Sequence, residues 1–323
     1  MLTVIGAGSV GLTVAARLAR SGRPVRVVTR SEDAARAIRD RGIELEDPAS
    51  GAVWRAAVEA QAELPTGEMG FALLCVRAPD TEPASAALAR RSPAATLVNV
   101  QNGVGGDALA GRHLGRVLGA VYRQPCMRVD ANRVRALGSG RIAVGAHPEG
   151  AGADVEEIAA ALRAAGYDVG VSRRIAEDRW LKLCVNLMSA PNALVRRAEH
   201  ATTAFTEGKA RLLEEARSAL AAAGIAARSC DGRDRSLEAE IAFQRGALAR
   251  GEASRSLPVF NSVWSGLTRG APLEADSHHR AIIELGARHR IETPTNERVL
   301  AAVERAARDR LGPECYGVEI LAP

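Results

Sequence analysis

Leu2-Thr3-Val4-Ile5-Gly6-Ala7-Gly8-Ser9-Val10-Gly11 sets a short strand-like run directly against a glycine turn. Residues 12–21 then repeat apolar side chains at helical spacing, and Gly22 supplies a stop. A second apolar run at 25–28 completes a strand–helix–strand unit within about 30 residues, for which a right-handed crossover is expected. A G-x-G-x-x-G pattern alone is weak, but here it follows a strand and opens a helix. Gly6 permits the tight turn, Gly8 lets backbone approach a pyrophosphate, and Gly11 allows the helix to pack closely on the strand. Residues Gly6, Ala7, Gly8, Ser9, Val10 and Gly11 are therefore the candidate dinucleotide-binding turn.

Outward from that unit, strands are expected at 71–76 and 97–101 and helices at about 32–41 and 80–91, the alternation of a parallel sheet. From 117 to 144 the pattern shortens into glycine-broken strands, and the stretch 136–145 (Ala-Leu-Gly-Ser-Gly-Arg-Ile-Ala-Val-Gly) predicts a hairpin at the sheet edge. A helix at about 153–165 and a strand at 168–171 close this half. Beyond Ser172 strands cease, and Ala-, Arg-, Glu- and Leu-rich segments predict helices at about 174–198, 202–223, 233–249, 273–290 and 296–310. The expected fold is α/β: a Rossmann-type dinucleotide-binding domain over 1–172, followed by an all-helical domain over 173–323. A length of 323 residues suits two such domains.

Composition excludes other classes. With 47% hydrophobic and 25% charged residues the chain reads as a folded globular protein rather than a disordered one. No apolar run reaches the roughly 18–20 residues of a membrane span, and the chain enters its first strand without a leader, so a cytoplasmic location is expected. Five scattered cysteines without a C-x-x-C pair read as reduced thiols. No clustered ligand set suggests a metal, and the His278-His279 pair is expected on a solvated helix face. The net charge of +5 comes with scattered arginines and only 3% aromatics, which points to a small anionic molecule rather than nucleic acid.

Of 43 basic residues only Lys182 and Lys209 are lysines. Arginine cannot serve where a proton must be given up, because its guanidinium stays charged. That singles out Lys182, while Lys209 reads as a surface residue. Lys182 and Asn186 lie four apart in Trp180-Leu-Lys182-Leu-Cys-Val-Asn186 and share a helix face between apolar neighbours.

Cofactor choice is read at the end of the second strand, where an acidic residue would take an NAD ribose. Val27-Val28-Thr29-Arg30-Ser31 offers instead a guanidinium and two hydroxyls, so NADP is expected, with Arg30 on the 2′-phosphate. Arg77, after the 71–76 strand, and Asn102, in Gln101-Asn102-Gly103, fall at the carboxyl edge where open α/β sheets bind ligands.

Together these segments resemble ketopantoate reductases, the 2-dehydropantoate 2-reductases, across nearly the whole chain. The resemblance rests on the GAGSVG turn, Arg30, the QNG at 101–103, the Lys182-Leu-x-x-Asn186 helix, and Ser262 followed twelve positions on by Glu274. It implies hydride transfer from NADPH to a 2-keto acid, with Lys182 as proton donor to the carbonyl oxygen. It further implies substrate contacts from Asn186, Asn192, Asn261 and Ser262. Glu274 is implied to help hold lysine, nicotinamide or substrate hydroxyl. The chain departs from the family pattern at Arg77, which replaces a lysine, at Ala190, which replaces an asparagine, at Gly266, which replaces an acid, and at Leu273, which replaces a threonine. The implied reaction is ketopantoate to pantoate in pantothenate biosynthesis; the alternatives are a paralogue reducing another 2-keto acid and a non-catalytic NADP-binding sensor. A homodimer through the helical domain is a further expectation.

Overall fold

The computed structural model describes residues 1–251, 261–270, 273 and 275–322, and it divides into two compact units, Met1–Asp178 and Arg179–Pro323. The expected boundary after residue 172 and this division fall on either side of the start of a helix spanning Ile175–Leu187.

The first unit begins with β1 (Leu2–Ile5), α1 (Ser9–Arg20), β2 (Val25–Val28) and α2 (Glu32–Arg41). Next come β3 (Ile43–Asp47), β4 (Ala52–Ala56), β5 (Glu59–Gln61), β6 (Phe71–Leu74), α3 (Thr81–Arg91), β7 (Thr96–Asn99) and α4 (Gly106–Gly111). It ends with β8 (Val117–Arg123), β9 (Cys126–Arg128), β10 (Arg133–Ala136), β11 (Arg141–Ala146), α5 (Ala153–Ala164) and β12 (Asp168–Val171). Eight strands form one sheet in the order β12-β11-β8-β7-β6-β1-β2-β5, parallel except where β11 runs against β8. Its interior strands read as continuous apolar runs because both faces are covered. One face packs α3 and α4 through Leu74, Leu88, Leu97 and Ala110, and the other packs α1 and α5 through Val4, Leu12, Val27, Ile158 and Leu162. Each fully buried leucine or isoleucine there contributes about 1.5–3 kcal/mol relative to exposure.

The hairpin expected at 136–145 does not form. β10 pairs with β9 and β3, whereas β11 pairs with β8 and β12, so the two strands belong to different sheets. Gly138 and Gly140, both at positive φ, carry the chain from one sheet to the other rather than folding it back. The second sheet, in the order β4-β3-β10-β9, was not anticipated. Its strands are short and half apolar: Ile43, Leu45, Val134 and Ala136 turn inward against α1, while Glu46 pairs outward with Arg133 and Arg135.

The second unit is helical. α6 (Ile175–Leu187) leads into it, followed by α7 (Ser189–Leu194), α8 (Thr203–Ala222), α9 (Leu237–Arg245), α10 (Ser262–Arg269), α11 (Ala275–His289) and α12 (Pro294–Arg308). The single helix expected over 174–198 is broken between α6 and α7. Pro191 lacks an N–H and its ring would clash with the carbonyl of Leu187, so it instead occupies the first turn of a new helix, where no donor is needed. α9 starts later than expected because Ser236 caps it, accepting from the Ala239 N–H at 3.2 Å. α10, capped by Asn261, was not foreseen. The core gathers Ala190, Leu194, Phe205, Leu212, Val263, Val299 and Val303.

The histidine pair also departs from expectation: His278 and His279 are only 4% and 0% exposed, turned inward from α11 rather than toward solvent. His279 Nδ1 meets Asn296 Oδ1 at 2.8 Å, and Asn296 donates in turn to Glu215 at 2.7 Å. Glu215 also accepts the N–H groups of Thr295 and Asn296 at the start of α12, at 2.8 and 3.0 Å. Lys209 is half-buried, its ammonium 4.7 Å from the Phe205 ring centroid, and burial lowers its pKa to about 8 against an opposing pull from Glu240.

Candidate active site

In the first unit the turn between β1 and α1 sits at the carboxyl edge of the sheet, flanked by the ends of β2 and β6. Its glycines are required for different reasons. Gly6 has φ +108°, and a Cβ there would come within 2.8 Å of the Cys75 carbonyl oxygen. At Gly11 a Cβ would lie 1.9 Å from the Gly6 carbonyl oxygen, so strand and helix touch backbone to backbone. Gly8 has an ordinary extended backbone, and a Cβ would meet nothing nearer than Cys75 O at 4.0 Å. The protein's own packing does not demand glycine at that position. The open space lies at the N-terminus of α1, whose first turn has no acidic residue and whose N-cap supplies no side-chain hydrogen bond. Outward-pointing N–H groups and a positive helix end fit a pyrophosphate there.

At the end of β2, the Thr29 hydroxyl donates to the Ser31 carbonyl at 2.7 Å, and the Ser31 hydroxyl accepts the Ala34 N–H at 3.3 Å as the cap of α2. Both hydroxyls hold the turn; Thr29 is buried, while Arg30 and Ser31 are exposed. Arg30 forms an ion pair with Asp80, and Arg77 Nε lies 4.0 Å from the same carboxylate oxygen. The two arginines, from either side of the β1 turn, thus share one acid.

Asn102 is half-buried just beyond β7. Its neighbour Gln101 has the more extensive role. The Gln101 amide donates to the carbonyls of Val76 at 2.8 Å and Arg77 at 3.1 Å, and its oxygen accepts the Thr81 hydroxyl at 2.8 Å. Asn99, which donates to buried Asp107 at 2.8 Å, accepts the Gln101 N–H at 3.2 Å. Gln101 therefore fixes the segment that presents Arg77 and Asp80. The QNG motif contains it, but its polarity gave no hint that it faces the protein. Asp80 could have been found from its three-residue spacing after Arg77.

In the second unit, Lys182 and Asn186 are half-buried one turn apart on α6, between buried Leu181, Leu183, Cys184 and Leu187. The Cys184 thiol is pushed up to about 12 by burial and stays protonated, so it does not compete as a nucleophile. His278, on α11, is held to about 4 by burial, with a smaller push from the charge of Lys182, and is neutral at ordinary pH. Neither His278 ring nitrogen has a hydrogen-bond partner among the described residues. Asn192 is half-buried on α7, and Ser262 is exposed at the start of α10. Asn261 accepts the Trp264 N–H at 2.9 Å and donates to the Ser189 carbonyl at 2.8 Å, tying α10 to α7. Glu274 lies outside the described residues. Ala190 is fully buried in the helical core, and Gly266 is buried as well. No group of His, Cys, Asp and Glu among the described residues could hold a metal ion, and no helix among them is long and apolar enough to cross a membrane.

Against known proteins, the profile of ketopantoate reductase PanE/ApbA matches residues 2–149, and that of the ketopantoate reductase PanE/ApbA C terminal matches residues 174–307. A 2-dehydropantoate 2-reductase of Halobacterium salinarum is 27% identical over 95% of this chain and 99% of its own length. One from Caulobacter vibrioides is 29% identical over 95% and 99%. Among solved structures, a PanE/ApbA family ketopantoate reductase from Ralstonia eutropha superposes with a TM-score of 0.75 at 22% identity, covering 96% of this chain and 99% of the other. A D-mandelate dehydrogenase in ternary complex with NADH and anilino(oxo)acetate superposes with 0.81 at 18% identity, again covering 96% and 99%. At these identities the structural likeness is one of fold.

Proposed function

Because this chain belongs to the ketopantoate reductase PanE/ApbA family and is thus an NADP-dependent oxidoreductase, we propose that it reduces a 2-keto acid to the 2-hydroxy acid with Lys182 as proton donor. NADPH, when bound, supplies the hydride. The residues fit it: the Gly8 space and the N-terminus of α1 suit the pyrophosphate, and Arg30 and Arg77 suit the 2′-phosphate. The Lys182 ammonium stabilises the negative charge that grows on the carbonyl oxygen and gives up the proton that oxygen needs. Asn186, one turn away, orients the substrate's oxygens, and Asn192, Asn261, Ser262 and Glu274 contribute further contacts. Asn102 borders the nicotinamide.

The observation that carries this proposal is the half-buried pair Lys182 and Asn186, isolated on an otherwise apolar stretch of α6 in a chain with only two lysines. Ketopantoate is the first substrate to test. A different 2-keto acid is the second, favoured by Ala190 and Gly266, which offer no polar side chain and are buried. NADPH oxidation followed with ketopantoate and a series of aliphatic and aromatic 2-keto acids decides between them. Turnover of ketopantoate at least tenfold above every other acid supports the first. Preference for another acid supports the second, and no turnover with any acid sinks both.

A further inference from the structure

Arg30 and Arg77 leave the sheet from strands on opposite sides of β1, at the ends of β2 and β6, and both reach toward Oδ2 of Asp80. The three side chains therefore span the mouth beside the glycine turn. In a fold of this kind the end of β2 is where the adenosine ribose is read. Asp80 is itself well placed. Its N–H donates to the Arg77 carbonyl at 2.9 Å, and Thr81 beside it is fixed by Gln101. Its carboxylate caps nothing, since the start of α3 takes no side-chain hydrogen bond from it.

We propose that Asp80 sets the balance between NADPH and NADH in this chain, by holding the two guanidiniums and competing with a 2′-phosphate for them. This rests on the NADPH assignment above. The pairs are exposed, with side-chain accessibilities of 68% for Arg30, 44% for Arg77 and 36% for Asp80, so their mutual attraction is weak and readily exchanged. A phosphate dianion offers more charge and a geometry matched to the planar guanidinium, and takes over both arginines. The displaced carboxylate then lies close to the phosphate and opposes it. With NADH the carboxylate keeps its guanidinium pairs on Oδ2, and its other oxygen can accept a ribose hydroxyl, the role that an acidic residue at the end of the second strand plays in NAD-binding relatives of this fold. One residue thus disfavours the phosphorylated coenzyme and favours the other, and tempers the preference set by the arginines.

The test is equilibrium binding of NADPH and NADH by nucleotide-fluorescence titration, without substrate, for wild type, Asp80→Asn, Asp80→Ser and Arg30→Ala. Both Asp80 variants should tighten NADPH by about three- to tenfold and leave NADH unchanged or weaker, with the gain shrinking as salt rises. Weaker NADPH binding, or an equal shift for both coenzymes, overturns the proposal, as do unchanged constants in both variants. Unaltered thermal midpoints confirm that the fold is intact. Arg30→Ala separates the two levels. If wild type shows no preference for NADPH, the NADPH assignment itself fails; if Arg30→Ala leaves the preference unaltered, the 2′-phosphate does not lie on Arg30 and the proposal falls with it; if Arg30→Ala abolishes the preference while the Asp80 variants change nothing, only the role of Asp80 fails.

Discussion

Gln101 accepts the hydroxyl of Thr81 at 2.8 Å while its amide holds the carbonyls of Val76 and Arg77, so one buried side chain from the end of the β7 strand fixes the start of α3 and the loop before it. Gln101→Leu keeps the volume but leaves those carbonyls without their donor, a loss of about 1–3 kcal/mol. Urea denaturation should report that loss. NADPH should bind more weakly as well, because Arg77 and Asp80 sit on the loosened segment.

Gly8 and Gly11 should respond differently to the same added methyl group. Gly11→Ala forces a Cβ against the Gly6 carbonyl and should cost about 1–3 kcal/mol in unfolding free energy. Gly8→Ala meets open space and should stay within about 0.5 kcal/mol of wild type. NADPH affinity should nevertheless fall at least tenfold in Gly8→Ala, since the methyl occupies the proposed pyrophosphate site. Paired denaturation and binding titrations check both; equal loss of stability in the two variants would refute the distinction.

Lys182→Ala should bind NADPH as wild type does and lose about 10²- to 10⁴-fold in kcat. Lys182→Arg should recover little, because a guanidinium keeps the positive charge yet does not release its proton at neutral pH. Single-turnover rates with saturating NADPH measure this directly.

Acid stability should depend on α11. Burial lowers both His278 and His279 to about 4, from an ordinary value of 6.5. Between those values the unfolded chain binds protons that the folded one does not, so stability rises with pH across that window. Their contribution is complete above about pH 6.5 and is lost as pH falls through about 4. Urea midpoints at pH 7 and 5 should differ in wild type and differ less in His278→Leu. An unchanged difference would remove His278 from the account.

The nucleotide-binding half could be read because its signals are local: Gly6, Gly8 and Gly11 follow a strand and open a helix within ten residues. The small sheet was invisible because β3 and β10 pair across nearly ninety intervening residues, and neither Ile43-Glu44-Leu45 nor Val134-Arg135-Ala136 forms a continuous apolar run. Gly138 and Gly140 signal a hairpin turn in the sequence, but positive-φ glycines serve a sheet-to-sheet crossing equally well. On α11 polarity misled. What buries His279 is Asn296, a partner seventeen residues away on another helix. Lys209, by type a surface residue, instead lies half-buried against the ring of Phe205 one turn earlier. At the candidate site, Lys182 and Arg30 could be found by residue type. Asp80 carries only the weaker signal of its spacing from Arg77, and Gln101 carries none, because its importance lies in what it holds in place.

The small sheet has a further consequence. α1 is enclosed on both sides, with Leu12, Val14, Ala15, Ala16 and Leu18 all at 0% exposure between β1 and β2 on one face and β3, β4, β9 and β10 on the other. A helix so enclosed is held along its body, while Gly8, Ser9 and Val10 at its N-terminus stay half-exposed. The dinucleotide would meet N–H groups whose direction is set by the packing of the helix behind them, so that less ordering is left for binding to supply.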